Sequence, residues 1–226
     1  MKNTLKIAID GPSGAGKSTL AKSLAKELGI LYVDTGAMYR AIGLYVRDHG
    51  IAADDEAGVI SCLDGIKIEL AFQGGTQHVL LCGEDVGDKI RTPEISMYAS
   101  RVSAIPAVRT FLLDAQRSLA KTSSLIMDGR DIGTVIFPDA DVKIFLVASP
   151  EARAKRRTAE LLAKGMQVTY EDVLRDMMTR DKNDRERTVA PAVAAPDAIL
   201  LDNSGMEPEE TLASALRIIK DRLGLA

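Results

Sequence analysis

Short apolar runs ending in small or acidic residues recur along the chain: LKIAID at 5–10, ILYVD at 30–34, SLIMD at 124–128, VKIFLVAS at 142–149 and AILLD at 198–202. Continuous apolar runs of this length predict strands buried on both faces. Between them the apolar spacing becomes helical, with Leu20, Leu24 and Leu28 in a segment closed by Gly29, and Leu212, Leu216, Ile219 and Leu223 near the C-terminus. Alternating strands and helices predict an α/β protein with a parallel sheet. The middle breaks this rhythm. IKIELAF and HVLLCGEDVG, separated by the turn signal QGGTQ, predict an antiparallel hairpin. Residues 61–103 are therefore expected to form an insertion in a core made of residues 1–60 and 104–226. The segment APAVAAPDA reads as an ordered connector, and no internal repeat is present.

Composition narrows the choice of function. The 226 residues are 46% hydrophobic, enough to bury a core as one large domain or one domain with an insertion. A formal net charge of -3 gives no overall basic field, so nucleic acid is not an expected partner and any anion site has to be assembled locally. Cys62 and Cys82 show no metal-ligand spacing and read as reduced thiols of a cytoplasmic protein. The apolar run near the start meets Asp10 too soon for a signal-peptide core or a membrane span. The expectation is a soluble monomer with no membrane partner.

The first predicted strand runs straight into GPSGAGKST, residues 11–19. Gly11-x4-Gly16-Lys17-Ser18 at a strand-to-helix junction is the phosphate-loop (P-loop) pattern. Its glycines let Gly11, Pro12, Ser13, Gly14, Ala15 and Gly16 curl so that successive N–H groups face one anion. Lys17 reaches the β- and γ-phosphates, and the first helical turn adds its dipole. Ser18 is the expected Mg²⁺ ligand, with Thr19 beside it as a second hydroxyl. A glycine-rich helix cap would explain the glycines but not Gly16-Lys17-Ser18 in this setting. The motif implies a nucleoside triphosphate with Mg²⁺ and leaves open whether the γ-phosphate goes to a small acceptor, is hydrolysed to drive a switch or powers work on a polymer.

In a parallel sheet the strand C-termini share one edge, so residues after LYV, LIM and VKIFLV converge on the crevice that holds the phosphate loop. DTGAMYR brings Asp34, Thr35 and Arg40; DGRDIG brings Asp128, Arg130 and Asp131. Asp34 could equally cap the following helix, and Asp128 could hold a turn. In RDKNDRER, residues 180–187, helical spacing puts Arg180, Asp184 and Arg187 on one stripe and Asp181 with Arg185 as an outward pair. Alone, such a run reads as a solvated face; beside the other arginine motifs it reads as a clamp on a second phosphate. EARAKRR, with Arg153 and Arg157 four apart and Arg156 adjacent, reads either as surface or as a basic lid over ATP near residues 150–166. His49 and His78 fall in loop-like polar surroundings and neither reads as catalytic. That suits an acceptor phosphate, whose second pKa near 6 makes it a dianionic nucleophile without a general base.

Taken together, IAIDGPSGAGKST, YVDTGAMYRA, GEDVGDKIRTPEIS, IPAVR, MDGRDIGTVIFPDADVKIFL, RDKNDRER and APAVAAPDAILLDNSGM resemble the bacterial-type cytidylate kinases, a family of nucleoside monophosphate kinases. The resemblance spans nearly the whole chain. It implies a five-stranded parallel P-loop sheet flanked by helices, ATP-dependent phosphorylation of CMP and dCMP, and an insertion belonging to the monophosphate-binding region. It also implies that Arg40, Arg130 and Arg187 hold the acceptor phosphate, that Ser100, Arg109 and Asp131 read the cytosine edge, and that Arg180 and Asp184 meet the sugar. Lys17, Arg130, Arg157 and Arg187 are then the expected catalytic cations, Arg153 and Arg157 the ATP-facing ones, and Thr35 and Asp128 further substrate contacts. A carboxylate such as Asp131 accepts from the cytosine amino group and repels the uracil carbonyl.

A nucleotide-dependent switch is the reading from a different class. Asp55 to Gly58 fits a short D-x-x-G pattern, but it lies in a polar loop, and no N-K-x-D guanine reader is present.

Overall fold

The computed structural model describes residues 4–74 and 76–225. In chain order the elements are β1 (Lys6–Asp10), α1 (Lys17–Leu28), β2 (Leu31–Asp34), α2 (Thr35–Asp48) and α3 (Glu56–Cys62). Next come β3 (Ile68–Gln73), β4 (Thr76–Leu81), β5 (Glu84–Asp85), α4 (Pro93–Val102) and α5 (Pro106–Leu119). The chain continues through β6 (Leu125–Asp128), β7 (Val142–Val147), α6 (Pro150–Ala163), α7 (Tyr170–Glu186), β8 (Ile199–Asp202) and α8 (Pro208–Leu223).

The five apolar runs form one parallel sheet in the order β2-β6-β1-β7-β8. β1 is central, and Ile7, Ala8 and Ile9 are fully buried because helices cover both faces. On one face Leu20, Leu24, Ala215 and Ile219 of α1 and α8 pack with Ile7, Ile9 and Ile144. On the other, Ala8, Val33 and Met127 meet Ile132, Ile136 and Phe137. Strand order changes direction at β1, so the loop that leaves β1 opens at a topological switch point, where α/β sheets bind ligands.

β3, β4 and β5 make a separate antiparallel sheet. Its third strand extends the expected hairpin. Cys82 at φ 51 and Gly83 at φ 88 turn the chain tightly enough for Glu84 and Asp85 to pair back on β4. His78 thus lies on a strand rather than in a loop, with its ring nitrogen 2.7 Å from Asp85. His49 ends α2, stacked on Tyr45. The D-x-x-G stretch is a helix cap: Asp55 accepts from the Gly58 N–H at 3.0 Å and starts α3. The hairpin packs with α2, α4 and α5 in one cluster containing Ile42, Leu44, Val79, Ile90, Ile95 and Leu112. Among the described residues no helix is long and apolar enough to cross a membrane.

Candidate active site

The loop between β1 and α1 is fixed mainly through its main chain. Gly11 has φ 146, and a Cβ there would collide with the Leu146 carbonyl of β7, so glycine is required by both conformation and space. Asn203, just past β8, donates to the Ala15 carbonyl at 3.0 Å. Lys17 is buried, and its Nζ donates to the Pro12 carbonyl at 2.7 Å. Burial, reinforced by the nearby Arg130 charge, pushes the Lys17 ammonium down to about 7.

This loop forms one end of a single cavity of about 510 Å³. Ser13, Gly14, Gly16, Lys17, Ser18 and Thr19 line it. Gly11, Pro12 and Ala15 do not: they hold the loop's shape from behind. Basic side chains outnumber acidic ones on its walls, a local anion site in a net acidic chain.

The β2 and β6 ends supply the middle of the cavity. Ser18 donates to Asp128 at 2.8 Å, Tyr32 donates to the other oxygen of the same carboxylate at 3.0 Å, and Thr35 donates to the Asp128 carbonyl at 2.8 Å. Burial, with the neighbouring Asp34 charge, pushes the Asp128 carboxyl up to about 6. Asp34 does cap α2, accepting from Ala37 at 3.0 Å, and it also pairs with Arg40 at 2.7 Å and faces Arg91 at 3.7 Å. Burial opposes the Asp34 charge, but Arg40 and Arg91 prevail and hold its carboxyl below the ordinary range. The two readings of Asp34 are therefore compatible.

The far end is built from ion pairs between distant segments. Asp131 pairs with Arg109 and lies 3.5 Å from Arg187, whose guanidinium also reaches Ser103 at 3.3 Å. Arg109 lies 5.5 Å over the Tyr39 ring. Asp184 accepts from Arg130 at 2.9 Å and from Ser100 at 3.2 Å. Arg40, Ser100, Arg109, Arg130, Asp131, Arg180, Asp184 and Arg187 all line the same cavity, as do Thr35, Asp128 and Arg157. Arg40 Nε and Arg180 Nε are buried donors that have no hydrogen-bond partner among the described residues. Buried donors in that state call for an acceptor in the cavity.

Two expectations are corrected by α6 and α7. Arg153 does not reach the cavity: only 4% exposed, it donates to the carbonyls of Ala148 (3.0 Å) and Ser13 (2.8 Å) and pairs with Asp181 at 2.5 Å. Asp181 is not an outward partner of Arg185. It accepts from the Ser13 N–H at 3.1 Å, behind the phosphate loop. The inward stripe of α7 begins apolar at Val173 and Met177, where it meets α6, and continues through Arg180, Asp181 and Asp184.

Several cavity residues lie inside or beside motifs visible in the sequence but were not among the expected site residues. Arg91 lies in a short 3₁₀ turn, Tyr39 and Ser103 sit beside better-marked neighbours, and Arg156 donates to the Asn203 carbonyl at 2.6 Å. Asp10 was legible only as a strand end. It is buried and accepts from the N–H groups of Ile132 (2.8 Å) and Gly133 (2.7 Å), which fixes the DGRDIG loop; burial pushes its carboxyl up to about 6.

The sheet order, the loop at its switch point and the basic cavity define a P-loop nucleotide-binding protein. A family model described as cytidylate kinase matches residues 7–221. A cytidylate kinase of Thermosipho melanesiensis is 50% identical over 220 residues, covering 97% of this chain and 99% of that protein. One from Fervidobacterium nodosum is 51% identical over 217 residues, covering 96% of this chain and 97% of that one. The chain belongs to the cytidylate kinase family.

Proposed function

We propose that the protein transfers the terminal phosphoryl group of ATP to CMP and to dCMP, releasing ADP with CDP or dCDP. The observation that carries this reading is one cavity running from the phosphate loop to the arginine-rich end, with room for two phosphate groups to face each other. An oxygen of the dianionic acceptor phosphate forms the new bond to the γ-phosphorus. The bond from that phosphorus to the β–γ bridging oxygen breaks, and its electron pair leaves on ADP. No proton has to be removed from the nucleophile.

The chain's own groups then have electrostatic tasks. Lys17 and the loop N–H groups hold the β- and γ-phosphates, and Arg157 approaches from the donor side. Arg40, Arg130 and Arg187 gather the acceptor phosphate, drawing on guanidinium groups now shared with Asp34, Asp184 and Asp131. Arg180 and Asp184 meet the sugar. Ser100, Arg109 and Asp131 meet the base, where an acceptor-only carboxylate welcomes the cytosine amino group and repels a uracil carbonyl.

Mg²⁺ fits the same reading. Among the described residues no group of three or more acidic, His or Cys side chains could hold a metal alone. The Ser18 hydroxyl and the Asp128 carboxylate, 2.8 Å apart at the loop, suit an ion that takes one or two protein oxygens and completes its shell with phosphate and water. When bound, it neutralises charge on the β- and γ-phosphates.

The reading extends to residues 61–103 as the monophosphate-binding region and, in the stretch near 150–166, to the part of α6 beyond the anchored Arg153 as a lid that closes over ATP. It places the enzyme in the cytoplasm, in keeping with the free thiols of Cys62 and Cys82.

ADP release measured with CMP, dCMP, UMP, AMP or no acceptor tests the proposal. CMP and dCMP are expected to drive turnover well above the other three conditions. Rapid release without acceptor would favour the switch reading, and preference for AMP would overturn the assignment of the base site.

A further inference from the structure

Ser13 sits in the phosphate loop with both main-chain polar groups taken from behind. Asp181 of α7 accepts its N–H at 3.1 Å, and Arg153 of α6 donates to its carbonyl at 2.8 Å. The two side chains pair with each other at 2.5 Å, so the three residues close a ring. Arg153 is further tied to the Ala148 carbonyl at the end of β7. Neither Asp181 nor Arg153 lines the cavity.

The position of this ring in the chain gives it meaning. Asp181 directly follows Arg180 and lies one helical turn before Asp184, and Arg187 follows at the end of the same helix. The carboxylate that holds the donor loop thus belongs to the element that carries much of the acceptor site. Lys17, anchored on the Pro12 carbonyl next to Ser13, shares the same piece of loop. A shift of Ser13 would therefore move Lys17 and the anion-facing N–H groups relative to α7.

We infer that Asp181 and Arg153 are positioning residues that set the separation of the two phosphate sites by locking Ser13 of the donor loop to helix α7. The inference rests on the phosphoryl-transfer reading. Loss of the lock leaves each nucleotide its own binding groups but misaligns the reacting atoms. A displacement of about 1 Å can cost roughly 10²-fold in rate. The signature is a fall in kcat with much smaller changes in KM.

The test is steady-state kinetics of the full chain with CMP and ATP, with kcat expressed per folded enzyme from thermal melts and CMP titration. Asp181→Ala is expected to lower kcat about 10²-fold, with KM for ATP and for CMP each within about threefold of wild type. Asp181→Asn keeps an oxygen for the Ser13 N–H and should fall between the two. Arg153→Lys keeps the charge without the planar fork and should recover part of the loss seen in Arg153→Ala. The double variant Asp181→Ala/Arg153→Ala should be little worse than the poorer single, because the two act as one unit. Arg185→Ala, on the exposed side of α7, should match wild type. Wild-type kcat in Asp181→Ala, a loss confined to KM for ATP, or additive single losses would overturn the lock while the kinase reading stood. A wild-type enzyme without CMP-dependent turnover would overturn the kinase reading and the lock with it.

Discussion

The two ends of the cavity are built by different means. At the donor end the chain curls on itself, and most of its fixing contacts engage main-chain atoms: the Asn203 amide on the Ala15 carbonyl, Lys17 on the Pro12 carbonyl, and Gly11 against the β7 backbone. At the proposed acceptor end, side chains from α5, α7 and the β6 loop meet through buried carboxylate–guanidinium pairs, to which Ser100 of α4 adds a hydroxyl hydrogen bond to Asp184. A backbone cradle tolerates side-chain change but demands glycine at set positions. An ion-pair lattice allows ordinary backbone but leaves a buried charge stranded when either partner is lost. Losses from the cradle itself should therefore read as ATP binding and loop shape, losses from the Asp181–Arg153 pair behind it as turnover, and losses at the acceptor end as turnover, base choice and stability together.

The largest expected effect breaks the acceptor end. Arg130→Ala should reduce kcat/KM for CMP by roughly 10³-fold, and Arg187→Ala by a similar factor, while ATP affinity stays within about twofold; steady-state kinetics and calorimetry read the two apart. Asp131→Ala should abolish most of the preference for CMP over UMP in a competition assay. It should also lower stability by about 3–5 kcal/mol in denaturant unfolding, because Arg109 and Arg187 lose a buried partner.

A smaller effect sharpens the donor end. Burial lowers the Lys17 pKa to about 7, so the free protein holds it increasingly neutral above that pH, whereas the proposed contact with a triphosphate favours the cation. Binding ATP must then take up a proton above that pH. Affinity should weaken as pH rises above about 7, by at most tenfold per unit, and should be flat on this account below it. Calorimetry at pH 8 in buffers of different ionisation heat should register the uptake, and Lys17→Met should remove it.

The smallest effect lies between the two ends. Gln77 of β4 accepts from the Asp34 N–H at 2.8 Å and donates to the Asp34 carbonyl at 3.2 Å, tying the antiparallel sheet to the residue that holds Arg40. Gln77→Ala should cost about 1–2 kcal/mol at most and raise KM for CMP a few-fold, with KM for ATP unchanged.

The same division explains what the amino-acid pattern disclosed. All five core strands and the phosphate loop are local signals, because period, run length and glycine spacing act over a few residues. The arginines proposed to hold the acceptor were also legible as residue types, Arg40 and Arg130 in motifs that follow strands and Arg187 on the charged stripe that ends α7. Their carboxylate partners were not, since Arg130 and Asp184, or Arg109 and Asp131, are joined only by folding. Helical spacing gave the stripe of Arg180, Asp184 and Arg187. It could not say that Asp181 turns inward, because α7 has charged residues nearly all round and few apolar positions to orient it. Arg153 was misread for a related reason. Its spacing from Arg157 is right for one face of α6, but Arg153 is consumed by Ser13 and Asp181 while Arg157 reaches the cavity. Strand β5, two residues long, is set by a turn at Cys82 that no periodicity marks.

In the proposed mechanism, guanidinium groups from three separate segments converge on one acceptor phosphate opposite the phosphate loop. A crystal structure with CMP and a non-hydrolysable ATP analogue tests it most directly. The CMP phosphate is expected in contact with Arg40, Arg130 and Arg187 and facing the γ-phosphate at Lys17, with cytosine against Asp131. A CMP phosphate touching none of those arginines, or turned away from the γ-phosphate, would contradict it.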